Sequence, residues 1–368
     1  MRNKYKYLFF LITIFLVNPS FLLANDIFQF NATNLEITEN GNIFEGSNGG
    51  EAFTDDIEIK AKNFKYNKEL NLLISYGNVK LQVKNENIII VADKISYLKE
   101  KEIITAYGNA EIQDLNRKII INSDQIEFKK IDEIITANGN TKIQDLKRKI
   151  IINSDQIEFK KNDEIITANS NVNLVDKLNN INIDADNVTY LIKDEKILTR
   201  GKTFAKIESN YKFFSENVIF FINEMKLSSN KKTVITDNQF SSYELGSFIY
   251  EIEKEFLKGT DIMITSNTNV ALRESDRMFF ESGFFDLKNG NFQTAATKIN
   301  LKKNTFKRSD NDPRIYGAST FKKGEITSIK KAVFTSCKKT DNCPPWQLQA
   351  SEIKHDKNKK QLIYKDTI

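Results

Sequence analysis

Residues 117–130, with the sequence RKIIINSDQIEFKK, recur unchanged as residues 148–161, and this duplication decides the fold. The heptapeptide DEIITAN likewise occurs at 132–138 and again at 163–169, so both copies are displaced by 31 residues. A fixed period of this length is the signature of a stacked array, in which each repeat buries its apolar face against its neighbours. The stretch is therefore predicted to be one elongated array rather than a set of unrelated domains.

Two columns of residues carry the same period through roughly residues 40–201. In the first column a glycine is followed in most units by an asparagine, and only Ser170 departs from glycine; its glycines are Gly46, Gly77, Gly108, Gly139 and Gly201. The second column is aspartate, at Asp93, Asp124, Asp155 and Asp186. Glycine followed by asparagine suits a positive φ, so the first column predicts a tight turn or a bulge. One carboxylate per unit is too few for the six to eight oxygen ligands of calcium, which favours a structural role for the second column.

Apolar residues alternate with a period of two inside each unit, which predicts strands. The inward parity flips at the aspartate, because Ile119 and Ile121 precede Asp124 at odd positions whereas Ile126 and Phe128 follow it at even ones. A strand that changes its inward parity must bend or bulge at the switch. Each unit is therefore predicted to supply three or four short strands with a corner at the aspartate, and the fold class is predicted to be all-β.

The inward aliphatic and aromatic side chains form the candidate binding surface. Such a stripe is by default an ordinary core, and the functional alternative is that it lines a groove for lipid. Its members are Ile88, Ile90, Ile119, Ile121, Ile126, Phe128, Ile150, Ile152, Ile157 and Phe159.

The composition argues against catalysis and against nucleic-acid binding. One His and two Cys in 368 residues leave little material for a catalytic triad or a zinc site, so no catalytic residue, metal or cofactor is predicted. Lys and Arg number 54 against 49 Asp and Glu, but three of the basic residues lie within residues 1–24, which leaves 51 against 49. A near-neutral chain lacks the basic face that nucleic-acid binding needs.

The first 24 residues have the pattern of a signal peptide. Arg2, Lys4 and Lys6 form a basic start, an apolar run follows, and Ala24 supplies a small residue at a plausible cleavage point. The chain is therefore expected to be exported. The predicted organisation is a signal peptide over 1–24, a repetitive β domain over 25–205, a Phe-rich continuation of the array over 206–310, and a Cys- and Trp-containing segment over 311–368.

The two cysteines lie close together in the last of these segments. Cys337 and Cys343 are six positions apart, and in an exported chain a disulfide is their expected fate. A bridge between them would close only a small loop, so it would stabilise the folded chain less than most disulfides do. Partners elsewhere remain open.

Residues 89–112, IIVADKISYLKEKEIITAYGNAEI, join an aliphatic strand, an Ala-Asp corner, an Ile-x-Tyr strand and a Gly-Asn turn. This pattern resembles the OstA-like module of lipopolysaccharide (LPS) transport proteins. The tail, with KKAVFTSC at 330–337, CPPWQLQASEIKHD at 343–356 and LIYKD at 362–366, resembles the segment that precedes the membrane barrel in the LptD family of LPS-assembly proteins. The resemblance covers nearly all of the chain after residue 24.

The resemblance implies a fold and a function. The family fold is an antiparallel β-taco or β-jellyroll, two sheets folded into a V whose apolar interior holds the acyl chains of lipid A while the sugars stay outside. Such a protein works in the periplasm, associated with the outer membrane, and makes or breaks no bond. The implied partners are LPS, an LptA-type bridge protein that adds a strand to a terminal edge, and, for an LptD-type chain, an LptE-type lipoprotein and a membrane barrel.

Three alternatives remain open at the level of sequence. The sequence stops at Ile368, where an LptD barrel should begin, so the chain is a truncated or split LptD or a free-standing LptA-like bridge. The family's disulfides join cysteines of the periplasmic part to cysteines in the barrel, so Cys337 and Cys343 either bond each other or lack their partners. The rival from another class is a structural exported β-solenoid, which would have a filled interior and parallel strand pairing.

Overall fold

The computed structural model describes residues 28–207, 210–239, 241–266, 268–269, 275–306, 311–340, 345–359 and 361–368. The predicted signal peptide and Cys343 lie outside these residues. The described chain is built of 26 β-strands, with short 3-10 segments at Glu39–Gly41, Lys99–Lys101 and Lys303–Phe306. The all-β prediction is therefore confirmed. Among the described residues, no helix is long and apolar enough to cross a membrane.

The first half of the described chain consists of long strands separated by four-residue or shorter turns. They are β1 (Gln29–Thr38), β2 (Ile43–Phe53), β3 (Ile57–Ala61), β4 (Asn63–Asn67), β5 (Leu72–Val83), β6 (Ile88–Leu98), β7 (Ile103–Asp114), β8 (Ile119–Lys129), β9 (Ile134–Asp145), β10 (Ile150–Lys160), β11 (Ile165–Asp176), β12 (Ile181–Leu191) and β13 (Lys196–Ile207).

The second half contains a group of six shorter strands followed by seven longer ones. They are β14 (Tyr211–Glu216), β15 (Ile219–Phe221), β16 (Lys226–Ser229), β17 (Thr233–Asp237), β18 (Ser242–Leu245), β19 (Ser247–Glu251), β20 (Phe256–Thr265), β21 (Arg277–Asp286), β22 (Asn291–Asn300), β23 (Arg314–Lys323), β24 (Ile326–Thr335), β25 (Leu348–Asp356) and β26 (Gln361–Thr367).

Successive strands pair antiparallel along their whole length, so the chain runs as a continuous meander. This holds from β5 to β13 and again from β20 to β26. One repeat contributes two strands of 11 and 12 residues, as in β8 and β9. The prediction of three or four short strands was wrong in count, because the corner bends each strand without ending its ladder.

The corner itself is a pair of facing bulges, and it explains both sequence columns. The register between β8 and β9 shifts between Asn122 and Gln125, opposite Gly139 and Asn140, which have φ values of 80° and 44°. The amide of Asn140 donates to Asp124 over 3.0 Å. A Cβ on Gly139 would lie 2.5 Å from a carboxylate oxygen of the same aspartate, so glycine keeps the space that the aspartate fills.

Side-chain size on the inner surface grows away from the bend. The rows next to it hold Ser123, Thr141 and Ala137, whereas Phe128 lies at the far end of its half-strand and is fully buried. The Ser123 hydroxyl donates to the carbonyl of Asn138 over 2.8 Å, which satisfies a backbone group beside the bulge. Small side chains at the bend and large ones away from it fill a space that widens from the bend toward the mouth. The two halves of each bent strand thus form a V, a taco-like or jellyroll-like sandwich.

The interior divides into two apolar clusters. The main cluster is continuous from Phe28 to Phe285 and contains the inward residues of both half-sheets. A smaller cluster lies between β22 and β25, with Ile299, Ile315 and Ile329 among its members. β13 pairs with β14 across position 206, and β22 pairs with β23 across position 310. Between them the short strands pair out of sequence order, β14 with β17 and β16 with β19.

Candidate functional site

The predicted groove residues all lie inside the V. Between 0% and 2% of their surface is exposed, and all belong to the main apolar cluster; they are Ile88, Ile90, Ile119, Ile121, Ile126, Phe128, Ile150, Ile152, Ile157 and Phe159. In this part of the array they pack as a filled core. Whether they contact lipid stays a prediction, and the features that could admit a ligand lie at the rim of the V.

The rim of the V consists of two rows of hairpin turns. We call the first row edge A, with turns at 99–102, 130–133, 161–164, 192–195, 222–225, 252–255 and 287–290. The second row is edge B, with turns at 54–56, 84–87, 115–118, 146–149 and 177–180. Backbone hydrogen bonds stack successive turns within each edge, such as Lys161 N–H to Glu133 carbonyl on edge A and Leu146 N–H to Lys118 carbonyl on edge B. The line along which the two edges face each other is the mouth of the V.

Two buried lysines of edge A close the mouth by pairing with edge B. The Lys130 ammonium lies 2.6 Å from Asp56 and 3.4 Å from Glu102. Lys161 pairs with Glu86 and lies 3.3 Å from Glu133. The Lys161 side chain is only 2% exposed, and its ammonium sits 4.8 Å above the ring of Phe128. These lysines and their carboxylates, which we call the clasp, therefore cover the apolar interior directly.

Edge B contributes the reciprocal contacts further along the mouth. Arg148 donates to Glu195 over 2.9 Å and to the carbonyl of Ile192 over 3.2 Å, both on edge A. The Tyr190 hydroxyl donates to Asp145 over 2.9 Å. Buried charge pairs of this kind are costly to break because a single remaining charge is left without a partner. The mouth is thus held shut across the repeats by charge-assisted hydrogen bonds.

Electrostatics at the clasp follows from burial and from the paired carboxylates. Burial is the largest single influence and lowers the pKa of Lys130, but the hydrogen bonds and charges of Asp56 and Glu102 together outweigh it, so the pKa lies above its ordinary value. Arg148 shows the same balance: burial lowers its pKa most, and the hydrogen bonds to Glu195 and Asp145, together with the neighbouring charges, raise it above its ordinary value. Burial is also the main cause that raises the pKa of Tyr190, followed by the Asp145 charge. All three groups therefore keep their protons at neutral pH.

The first turn position of edge A changes character along the chain. Each residue at this position donates its N–H to the last residue of the preceding edge-A turn, which fixes the alignment. Lysine occupies the position at Lys130 and Lys161, and apolar residues replace it afterwards, at Ile192, Ile222, Ile252 and Leu287. The clasp therefore gives way to an apolar lip toward the C-terminal half.

A cavity of about 610 Å³ lies in the mouth where the lip is apolar. Its floor is apolar and belongs to or packs against the main cluster, with Ile264, Met278, Phe285 and Phe292 as examples. Leu287, at the lip, contributes to the lining. This volume is within the range of ordinary small-molecule pockets. An apolar chain entering here would continue the core that fills the repeats.

Polar groups line the rim of this cavity and are largely engaged by the protein. The Tyr211 hydroxyl donates to Glu255 over 3.1 Å, across the mouth. Asp237 accepts the N–H groups of Gln239 and Ser241, each over 2.8 Å. Burial, followed by the neighbouring carboxylate, raises the pKa of Tyr211. The cavity thus combines an apolar floor with a rim whose acceptors are already satisfied.

The opposite, N-terminal end of the interior is covered by aromatic rings. Phe28 is 3% exposed, and its ring centroid lies 5.3 Å from that of Tyr66 and 6.0 Å from that of Tyr97. Phe30 stacks on Phe64 at 5.1 Å. Aromatic pairs at such distances are favourable in edge-to-face or offset geometry. This aromatic plug closes the end of the V that the clasp does not reach.

The outermost described strands each have one strand neighbour. β1 pairs with β2, and β26 pairs with β25. Both expose apolar side chains, among them Ile37 at 54% and Ile363 at 48%. An edge strand with unpaired backbone groups can accept a further strand from another chain. These edges are the places where strand addition is geometrically possible.

The cysteine segment is only partly described. Cys337 is half-buried, its N–H donates to the Thr335 hydroxyl over 3.2 Å, and its sulfur lies 3.7 Å from the carbonyl of Trp346. Because Cys343 lies outside the described residues, the predicted disulfide stays a prediction. Over the described ranges, no group of three or more His, Cys, Asp or Glu side chains comes together to hold a metal ion.

Sequence reasoning missed the clasp, the apolar lip and the cavity. In the sequence, the pairs Lys129-Lys130 and Lys160-Lys161 look like solvated turn residues. In the structure, the second lysine of each pair extends across the mouth to a carboxylate of edge B. A signal existed in the repeat register, because the lysine column changes to isoleucine at Ile192. What this change does to the mouth depends on which turns face each other, and the repeat register alone does not specify the facing turns.

No family model matches the chain, and no curated protein is similar to it in sequence. Among solved structures, the chain is similar to the crystal structure of LptH from Pseudomonas aeruginosa, the LptA-homologous periplasmic component of the conserved lipopolysaccharide transport device. The match has 10% sequence identity and a TM-score of 0.29, and it covers 31% of this chain and 83% of that one. Membership of the OstA-like or LptD family stays a prediction from the residues.

Proposed function

We propose that this chain binds the acyl chains of LPS in its apolar β interior and passes them across the periplasm toward the outer membrane. In this proposal it acts as the periplasmic part of an LptD-type assembly apparatus and carries out no chemical reaction. The support from sequence is the OstA-like pattern of residues 89–112 together with the Cys-Pro-Trp tail. Export and a periplasmic location follow from the signal peptide pattern and belong to the same proposal.

The observation that carries the proposal is the continuity of the apolar interior. One cluster of inward side chains runs from Phe28 to Phe285 between two half-sheets that are joined at the bend and extend to the turns at the mouth. Burying a methylene contributes about 0.8 kcal/mol, so a 12-carbon acyl chain would cost roughly 10 kcal/mol to leave in water. A carrier therefore needs an uninterrupted apolar path, and the interior of the V provides one once the mouth opens.

Site-specific photo-crosslinking in cells that make LPS tests the proposal. Ile90 and Val91 are neighbours on β6 with similar side chains, but Ile90 is 1% exposed inside the V and Val91 is 38% exposed on the outer face. A photoreactive residue at position 90 is expected to give an LPS adduct, and one at 91 is not. Equal adducts at both positions, or none at 90 in a variant with native circular dichroism, would contradict the proposal.

A structural exported β array is the second candidate, and one observation favours it. The interior of the repeats is filled by its own side chains, as a purely structural array requires. The antiparallel pairing differs from the parallel pairing expected of a β-solenoid. The two candidates differ in whether the mouth opens, so the Ile90 experiment separates them.

Strand addition is the proposed route to a partner. We propose that an LptA-type module pairs with β1 or β26, because each presents one open edge within the described strands. Proline cannot donate to a β ladder and is strongly disfavoured inside a paired strand. If the module pairs with β1, Ile37→Pro is expected to lower its co-purification with this chain. If it pairs with β26, Ile363→Pro is expected to do so. If neither variant changes it, both edges are excluded as the contact.

A further inference from the structure

The geometry points to the cavity in the mouth as a lateral loading port, in which the alkyl chain of an amphiphile inserts between edges A and B while its head group stays outside. The inference deepens the proposed function, on which it rests, by naming where the chain enters. It also names the ligand class, an amphiphile whose alkyl chain meets the apolar floor and whose head group meets the polar rim. Its basis is the contrast between the clasp and the apolar lip.

The lip residues are the first argument. Where Lys130 and Lys161 hold the mouth, an alkyl chain would have to pass between buried charge pairs and leave them unpaired, which is costly. At Leu287 the same turn position is apolar and half-buried beside the cavity. A chain crossing here would displace water from apolar surface and break no charge pair. The port is therefore placed where an apolar turn residue coincides with the cavity, which is at Leu287 and not at the earlier apolar positions of the same column.

The lining is the second argument. Ile264 and Phe285, on the cavity floor, belong to the same cluster as the repeat interior, so a chain in the cavity would lie in line with it. The rim acceptors Asp237 and Glu255 are engaged by N–H and O–H donors of the protein. A polar ligand would have to displace those donors, whereas an alkyl chain would not. The arrangement thus selects for an apolar chain.

An alkyl series provides the direct measurement. Octyl, nonyl and decyl maltosides, each held below its micelle concentration, are titrated into the full chain while the spectra of a photoreactive or fluorescent label at Met278 are recorded. Affinity is expected to rise roughly fourfold for each added methylene, which is the burial of one CH₂ expressed as a ratio of binding constants. Affinity that does not change with chain length would overturn the inference.

Substitutions at the lip give matched variants. Leu287→Lys restores the residue found at the clasp and places a charge in the opening, so it is expected to weaken decyl maltoside binding at least tenfold. Leu287→Met keeps the site apolar and is expected to change binding by less than threefold. Equal binding by Leu287→Lys and the wild type, at unchanged circular dichroism, would show that the chain does not pass this lip.

A steric block provides an independent test without a change in the floor. Gln239 is exposed on the rim, and Gln239→Trp places a large ring over the opening. Lys147→Trp is the control, because Lys147 is an equally exposed turn residue whose N–H also bonds an aspartate two positions earlier. Gln239→Trp is expected to slow binding of decyl maltoside at least tenfold, and Lys147→Trp to leave it unchanged. Equal rates in the two variants would contradict a lateral port.

The outcomes separate the port from the proposed function. An LPS adduct at position 90 that persists at full yield in Gln239→Trp would leave the proposed function standing and reject the port. Alkyl binding that depends on Leu287 without any LPS adduct at position 90 would support the port and reject transport of LPS through the repeats. Loss of both in the same variants is the result expected if the two ideas are correct together.

Discussion

The closed region, β5 to β13, and the open region, β14 to β22, are both antiparallel arrays, but they differ in the length of their strands and in how the mouth is finished. In the closed region Lys130, Lys161 and Arg148 span the mouth, and the interior behind them is fully packed. In the open region Leu287 occupies the corresponding turn position and a cavity of about 610 Å³ remains. The open region thus differs both in the short, interrupted strands β14–β19 and in the turn side chains at its mouth.

This difference shows that different residues specify the interior and the mouth. The interior is specified by alternation and by the bulge, which recur in every unit from Asp93 to Asp186. The corner contact even reappears outside the repeat, where a Cβ on Gly246 would lie 2.7 Å from Asp261. The clasp follows no such rule and is confined to the units whose turns supply a lysine or an arginine. The side chains at the mouth can therefore change from unit to unit without a change in the corner.

The largest contrast is expected from removal of one ring in each region. Phe128→Ala in the closed region should lower the free energy of unfolding by about 3–5 kcal/mol, because the ring is fully buried and its cavity cannot collapse. Phe292→Ala in the open region should cost only about 1 kcal/mol, since this ring is half-buried beside existing space. Urea unfolding followed by circular dichroism measures both. Equal losses would mean that the open region is packed as tightly as the closed one.

Breaking the clasp should produce the next largest effect. Lys161→Met leaves the partly exposed carboxylates of Glu86 and Glu133 without their shared cation, and it is expected to lower the free energy of unfolding by about 2 kcal/mol. Lys160→Met is the matched control, because Lys160 pairs at 3.7 Å with Glu158 and is 47% exposed, so its loss should cost less than about 0.5 kcal/mol.

Hydrogen exchange locates the effect of the clasp. Amides of β8 and β10 beside the mouth are expected to exchange faster in Lys161→Met than in Lys160→Met, since only the first variant frees the two edges. Uniform acceleration across all strands would indicate global destabilisation instead. Identical exchange in the two variants would show that the mouth is held by packing rather than by charge.

The corner sharpens the comparison at a smaller scale. Gly139→Ala places a Cβ 2.5 Å from an Asp124 carboxylate oxygen at a position of positive φ. We expect this substitution to lower the free energy of unfolding by about 2 kcal/mol. Gly324 also has a positive φ, but no heavy atom lies within 4 Å of an added Cβ, so Gly324→Ala is expected to lower the free energy of unfolding by only about 1 kcal/mol. Thermal or urea unfolding distinguishes them. A smaller loss at Gly139 would place the bend's stability elsewhere than in the facing bulges.

The smallest expected effect is the alkaline titration of the clasp. Because the pKa of Lys130 is raised in the folded chain, its stabilisation is fully present below the unfolded value of about 10.4 and is lost as pH rises through the folded pKa. The stability difference between wild type and Lys130→Met should therefore be constant from pH 7 to 10 and shrink above about pH 10.5. A difference that stays constant to pH 12 would contradict a charge-based clasp.

Much of the fold could be read from particular residues. The parity switch around Asp124 predicted a bend, and the Gly139-Asn140 pair predicted a turn or bulge; the structure places both at the same corner, joined by a hydrogen bond. The number of strands was misjudged because a bulge changes the inward face without breaking the backbone ladder. Ser170 shows that the glycine column tolerates exceptions, with a φ of 64° at the same bend.

The sequence by itself determined the period, the all-β class and which side chains point inward, because strand alternation and repeat spacing are local properties of the chain. Only the tertiary structure decided where the mouth is closed and where it opens. Lys161 and Glu86 are 75 residues apart, and their pairing depends on how the two half-sheets cross, which no local pattern contains. The candidate site is therefore a property of the facing edges, while the fold is a property of the repeat.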